Sequence, residues 1–212
     1  MAALALSELF DLLPIASVTW SIQRNDEFDM LGSGDVWQAE LAVPLWTAEI
    51  SLGTSRNDEA TEVAALIRSL DGVRTAFLVC DPIRSYPLLD PQGVSIAGHA
   101  ITIREIGADR VTARMTGFPP GYTLSRGDKL QITYGGQIAF VEVSRTMAAD
   151  AEGHLDAPIF PRLPLAIAAG MAVTLARPAC PMIIVPESHN PGEARRTTTS
   201  GAGFKTMQKR RT

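Results

Sequence analysis

The sequence predicts an all-β protein with one α-helix, organised as a β-sandwich host domain carrying an inserted OB-like β-barrel. Three observations point there. Apolar residues alternate with period two over most of the chain, a single stretch has helical period, and glycine and proline punctuate at short intervals. With 212 residues, 46% hydrophobic and 20% charged, the chain has the balance of a globular protein able to bury a proper core.

The opening segment MAALALSELFDLLPIA is apolar but lacks basic residues and carries Glu8 and Asp11, so a signal peptide is not expected. No apolar run reaches the ~18 residues of a membrane helix, and no membrane insertion is expected. Trp46, Ala48, Ile50 and Leu52 alternate with Thr47, Glu49 and Ser51 in a half-buried strand. The helix is NDEATEVAALIRSLDG, with Asn57 as its cap, acidic residues in the first turn and Gly72 closing it. Val63, Leu66, Ile67 and Leu70 share one stripe. VRTAFLVC ends a buried strand at Cys80, and DPIRSYPLLDPQG (81–93) reads as a hinge. Further strands are ITIREI, the run around Val111, Ala113 and Met115, and MAVTLA. KLQITY-GG-QIAFVEV is a hairpin whose two glycines supply a tight turn. Residues 1–90 and 157–186 are therefore assigned to the sandwich, 91–156 to the barrel and 187–212 to a basic tail.

Residues that carry chemistry are sparse. His99, His154 and His189 share no metal-ligand spacing, no G-x-S-x-G elbow occurs, and no glycine pattern cradles phosphate. Neither catalysis nor a cofactor is expected. Arg126-Gly127-Asp128 resembles an integrin ligand but reads as a turn before a strand. Cys80 and Cys180 read as buried small hydrophobes, with a disulfide left open. Trp20, Trp37 and Trp46 are core anchors or, for Trp37 and Trp46, interface contacts. Tyr122, Tyr134 and Phe140 on the barrel could stack on sugars, which defines an alternative glycan-binding function.

The net charge of −4 is uneven. Residues 187–212 carry Arg195, Arg196, Lys205, Lys209, Arg210 and Arg211 against Glu187 and Glu193, leaving an acidic body. A segment so polar cannot bury enough apolar surface to order itself. Docking on neighbouring subunits is the expected role of these basic residues, and truncation after Pro186 is expected to leave the fold intact.

The segment from Gly121 to Pro161, with GYTLSRGDKLQI, AFVEV, AADAEGH and APIFPRL, is similar to distal tail proteins of siphophages and prophages. LPIASVTWSIQRND and DVWQAELAVPLWTAEI also resemble the start of such proteins from phages of alphaproteobacteria. The likeness spans most of residues 10–186 and leaves the basic tail unmatched. It implies a homohexameric ring in the virion tail, assembled in the host cytoplasm between tail tube protein and tail hub protein. It also implies a decorating OB-like domain and a lumen that passes DNA without specific binding. An acidic body suits such a lumen, because like charge keeps phosphates from sticking.

Overall fold

The computed structural model describes residues 3–30 and 32–210. It is mostly β, sandwich-like, with one α-helix among the described residues. The hairpin strands β1 (Ile15–Met30) and β2 (Val36–Leu52) lead to β3 (Ser55–Arg56), α1 (Asn57–Ser69) and β4 (Phe77–Cys80). Next come β5 (Thr102–Ile106), β6 (Thr112–Thr116), β7 (Thr123–Leu124), β8 (Lys129–Tyr134) and β9 (Gln137–Val143). They are followed by β10 (Met147–Ala148), β11 (Leu155–Phe160) and β12 (Val173–Thr174). The last strands are β13 (Ala179–Ile184), β14 (Glu193–Ala194), β15 (Thr198–Ser200) and β16 (Gly203–Gln208).

Two hydrophobic cores organise these elements. One lies on an antiparallel sheet of order β1-β2-β16-β13-β4. Period-two alternation puts Trp46, Ala48, Ile50 and Leu52 of β2 on its inner face, with Phe204 of β16 and Met182 and Ile184 of β13. Ile67 of α1, Leu70 just past its end, and Leu9, Phe10 and Leu13 of the opening turns join this core. The helix differs from expectation at its start. Its cap is Arg56, whose N–H donates to the Glu59 carboxylate at 3.2 Å. Asn57 instead ties α1 to the last strands, its amide donating to the Arg195 carbonyl at 2.8 Å and accepting the Thr199 hydroxyl at 2.9 Å.

The second core spans Ile96 to Leu175 on a sheet of order β12-β8-β9-β11-β6-β5. The outer strands of this sheet meet. Ile103 N–H donates to the Met171 carbonyl at 2.9 Å and Val173 N–H to the Ile101 carbonyl at 2.9 Å. Ala157, Ile159, Leu163, Ile167 and Val173 pack inside this core, so the boundary drawn at 156 falls too early. Those residues pack in the second core and do not return to the first sheet.

Residues 187–210 are likewise no tail, and Arg211 and Thr212 lie outside the described residues. β16 lies between β2 and β13, pairing Phe204 with Ile50, Thr206 with Ala48 and Ile184 with Thr206. Composition hid this because the strand's inner residues are Phe204, Thr206 and Gln208, only one of them apolar. Thr206 and Gln208 are buried at no cost in unmet hydrogen bonds, the hydroxyl donating to the Ala48 carbonyl and the Gln208 carbonyl oxygen accepting Trp46 N–H.

The cysteines sit on adjacent strands with Cys80 opposite Ala179 and Cys180 opposite Val79. Their side chains therefore leave opposite faces of the sheet, and both are free thiols.

The loop read as a hinge is fastened by carboxylates. Asp81 accepts Ile83 N–H at 2.9 Å, and Asp90 accepts Ser95 and Ile96 N–H groups at 3.1 and 3.2 Å. Asp128, fully buried, reaches across from the second unit to accept Leu88 N–H at 3.0 Å while also accepting Ser125 N–H at 2.7 Å. The Arg126-Gly127-Asp128 turn thus spends its aspartate internally and has none to offer a receptor.

Phe204→Ala should cost about 3–5 kcal/mol in denaturant unfolding, and truncation after Pro186 should abolish folding of the first sheet, reversing the expectation from composition. Asp128→Asn should cost about 1–3 kcal/mol in the same assay, because an amide cannot accept both N–H groups. Burial pushes the Asp128 carboxyl above the ordinary aspartate value of 3.8, against the pull of the two N–H groups and Arg84. The native chain then holds this proton to higher pH than the unfolded chain. Its contribution to stability should decline as pH rises from 3.8 through the folded value, and Asp128→Asn should remove that slope.

Candidate functional site: an exposed arm and an arginine-rimmed groove

Strands β1 and β2 are 16 and 17 residues long, about three times an ordinary strand. Only their inner ends pack on the sheet. Beyond Asn25 and Ala42 the two strands pair solely with each other, from Asp26 opposite Glu40 to Met30 opposite Val36. This leaves an arm roughly 20 Å long with both faces in solvent. Alternation sorts its side chains. Phe28, Met30 and Val36 share one face, and Trp37 shares the other with Glu27, Asp29 and Ala39. Phe28 is 71% exposed and Trp37 69%.

At the arm's root lies a groove of about 780 Å³, lined by Val43, Arg110, Tyr134, Arg162, Leu165 and Arg210 among others. Arg162 reaches Glu40 at 3.0 Å, joining the rim to the arm. The Arg110 guanidinium is held by the carbonyls of Leu163, Pro164 and Ile167, which orient it but do not neutralise it.

Between the two cores sits an aromatic joint. Trp20 stacks on Phe140 at 5.3 Å, and Trp46 meets both rings edge-on at 5.9 and 5.5 Å. The Trp46 indole N–H donates to the Phe140 carbonyl at 3.0 Å. Lys129 stands 4.4 Å over the Trp46 ring and pairs with Glu142, its cross-strand partner.

The residues singled out from sequence are scattered by the fold. Trp37 is exposed on the arm, but Trp46 is 4% exposed inside the joint, so it holds the protomer together and has no surface for a partner. Phe140 is buried in the same joint, and Tyr122 is buried against Phe118 with its hydroxyl 3.5 Å from Asp90. Neither offers a ring to a sugar. Tyr134 alone of the three reaches the groove, mostly covered. Arg195 and Arg196 are exposed at the turn between β14 and β15, and Lys205 faces Glu49 at 3.7 Å on the outer side of the sheet. The Lys209 ammonium donates to the carbonyls of Val73 and Arg74, and Arg210 lines the groove. Arg211 lies outside the described residues. Among the described residues the basic side chains thus form no single patch, because Arg195 and Arg196 sit in the β14–β15 turn, Lys205 on the outer face of β16, and Lys209 and Arg210 beyond its end.

Sequence reading missed Phe28, Met30, Arg110 and Arg162. The available signal was length, since two apolar-alternating runs of this extent around Gly32-Ser33-Gly34 exceed what one small sheet can cover. Among the described residues no group of three or more His, Cys, Asp or Glu could hold a metal, and no helix is long and apolar enough to cross a membrane. The chain matches no protein-family model, and no curated protein matches its sequence.

The two exposed-versus-buried tryptophans separate experimentally. Trp37→Ser should change unfolding free energy by no more than about 0.5 kcal/mol. Trp46→Ala should cost about 3–5 kcal/mol. In fluorescence, Trp37→Phe should remove the red, solvent-exposed part of the emission.

Proposed function

We propose that this chain is a structural component of a bacteriophage tail tip. It builds a homohexameric ring that connects tail tube protein to tail hub protein and lets DNA pass without specific binding. The observation that carries this reading is the arm. A two-stranded ribbon is marginal in water on its own, and one that exposes Phe28, Met30, Val36 and Trp37 is a surface made for a partner. The open edge of β1 adds to this, since it is the outermost strand of its sheet and pairing around a closed ring would cover such an edge.

The likeness to distal tail proteins over residues 10–186 supplies the kind of assembly. The second unit then stands as the decorating domain, a small closed barrel of OB-like type. The hydrogen bonds joining β5 to the segment entering β12 favour closure. On this reading the protein works in the virion after assembly in the host cytoplasm and performs no catalysis.

Multi-angle light scattering of the purified protein, or of tail extracts, should give a species of six times the protomer mass. A stable monomer that also fails to join tails would overturn the proposal.

A further inference from the structure

The geometry points to the partner of the arm: Trp37 and its flanking carboxylates seat in the arginine-rimmed groove of a second copy of this chain. This rests on the ring reading and names the surfaces that would build it.

The chemistry of the two surfaces is complementary. On the arm, Asp29 lies directly opposite Trp37 and Glu27 directly opposite Ala39, so one face presents an indole beside two carboxylates of the facing strand. The arm as a whole has Asp26, Glu27, Asp29, Asp35 and Glu40 against Arg24 alone. Asp26 is taken by Arg24 at 3.2 Å and Glu40 by Arg162, which leaves Glu27 and Asp29 facing outward near the tip. In the groove, Val43, Tyr134 and Leu165 offer apolar surface for the ring, Leu165 being 87% exposed. Around them stand Arg110, Arg162 and Arg210, with Asp109 the acidic residue of the lining. Asp109 accepts Val111 N–H within its own turn, and Arg110 is held by neutral carbonyls that leave its charge available. An indole entering that space would bring Glu27 and Asp29 to Arg110 and Arg210, Arg162 being paired with its own Glu40. Aromatic anchors ringed by charge pairs are the usual energetic centre of an interface.

The occupant cannot be the chain's own arm. Glu40 and Val43 fix the root of the arm beside the groove, and pairing runs without a register shift from Asp26 to Met30. A ribbon continuous over that stretch carries Trp37 away from its root and cannot fold back. Arm and groove are also different patches, so copies can join head-to-tail through them, the kind of contact a closed ring requires.

The test uses the full chain with one cysteine placed on each surface, since Cys80 and Cys180 are buried. Ala39→Cys lies on the Trp37 face and Ala166→Cys on the lining of the groove, both at exposed positions. The two variants are mixed and oxidised with copper–phenanthroline. A disulfide-linked dimer should form in the mixture well above the level of either variant alone, and adding Trp37→Ser to the Ala39→Cys chain should abolish it. Trp37→Ser and Glu27→Lys should each weaken self-association by about tenfold or more, and Arg210→Glu should do the same from the groove side. A sixfold species that gives no cross-link and tolerates these changes would overturn the arm-in-groove contact and leave the ring standing. A protein that remains monomeric would overturn both.

Discussion

The indole of Trp46 is the contact on which both halves of the molecule depend. The Trp46 indole N–H finds its acceptor in a carbonyl of β9, a strand of the other unit, whereas the neighbouring Trp20 indole N–H is buried without a partner. Pulling the cores apart would break that hydrogen bond and expose three packed rings at once. The same ring face receives the Lys129 ammonium, whose buried charge is offset by Glu142 and by the π-electrons beneath it. Charge, hydrogen bond and apolar burial therefore converge on one side chain. The joint is reinforced at its margins by Asp128 on Leu88 N–H and by the Gln131 carbonyl oxygen accepting Ala179 N–H at 2.9 Å.

Such a joint has a geometric effect. The arm is an extension of β1 and β2, the strands that carry Trp20 and Trp46, and the groove is formed where 162–166 of the second unit meets Val43 and Arg210. Because the same aromatic cluster locks both units, the direction of the arm is set relative to the groove. Arg24 lies 5.7 Å from the Phe160 ring and Arg162 grips Glu40, adding two braces at the root. A protomer built this way holds the root of its projection and its recess at one fixed angle.

Much of the architecture was legible in the chain. Period-two alternation from Trp46 to Leu52 and the Gly135-Gly136 turn identified strands because one face of each is buried and turns need positive φ. The stripe Val63, Leu66, Ile67, Leu70 identified the helix for the same reason. Reading failed where burial is achieved by polar atoms or not at all. β16 buries Thr206 and Gln208 through hydrogen bonds to partners more than 150 residues away, which no local pattern reports. The arm failed oppositely, since its alternation is real but covers nothing within the protomer. Phe140 looked like a surface aromatic because strand patterning shows which residues share a face and is silent on what that face meets.

The position of β16 also sets an order of events. A ribosome delivers residues 96–175, the whole second core, before any residue of β16 exists. That unit can mature at once, whereas the first sheet waits as two separated hairpin-like halves, β1 with β2 and β4 with β13, whose facing edges are bare. Maturation thus runs against the direction of the chain. A translation product interrupted before Gly203 is a finished small domain flanked by an unsealed one, and its bare edges mark it for aggregation or for cellular proteases.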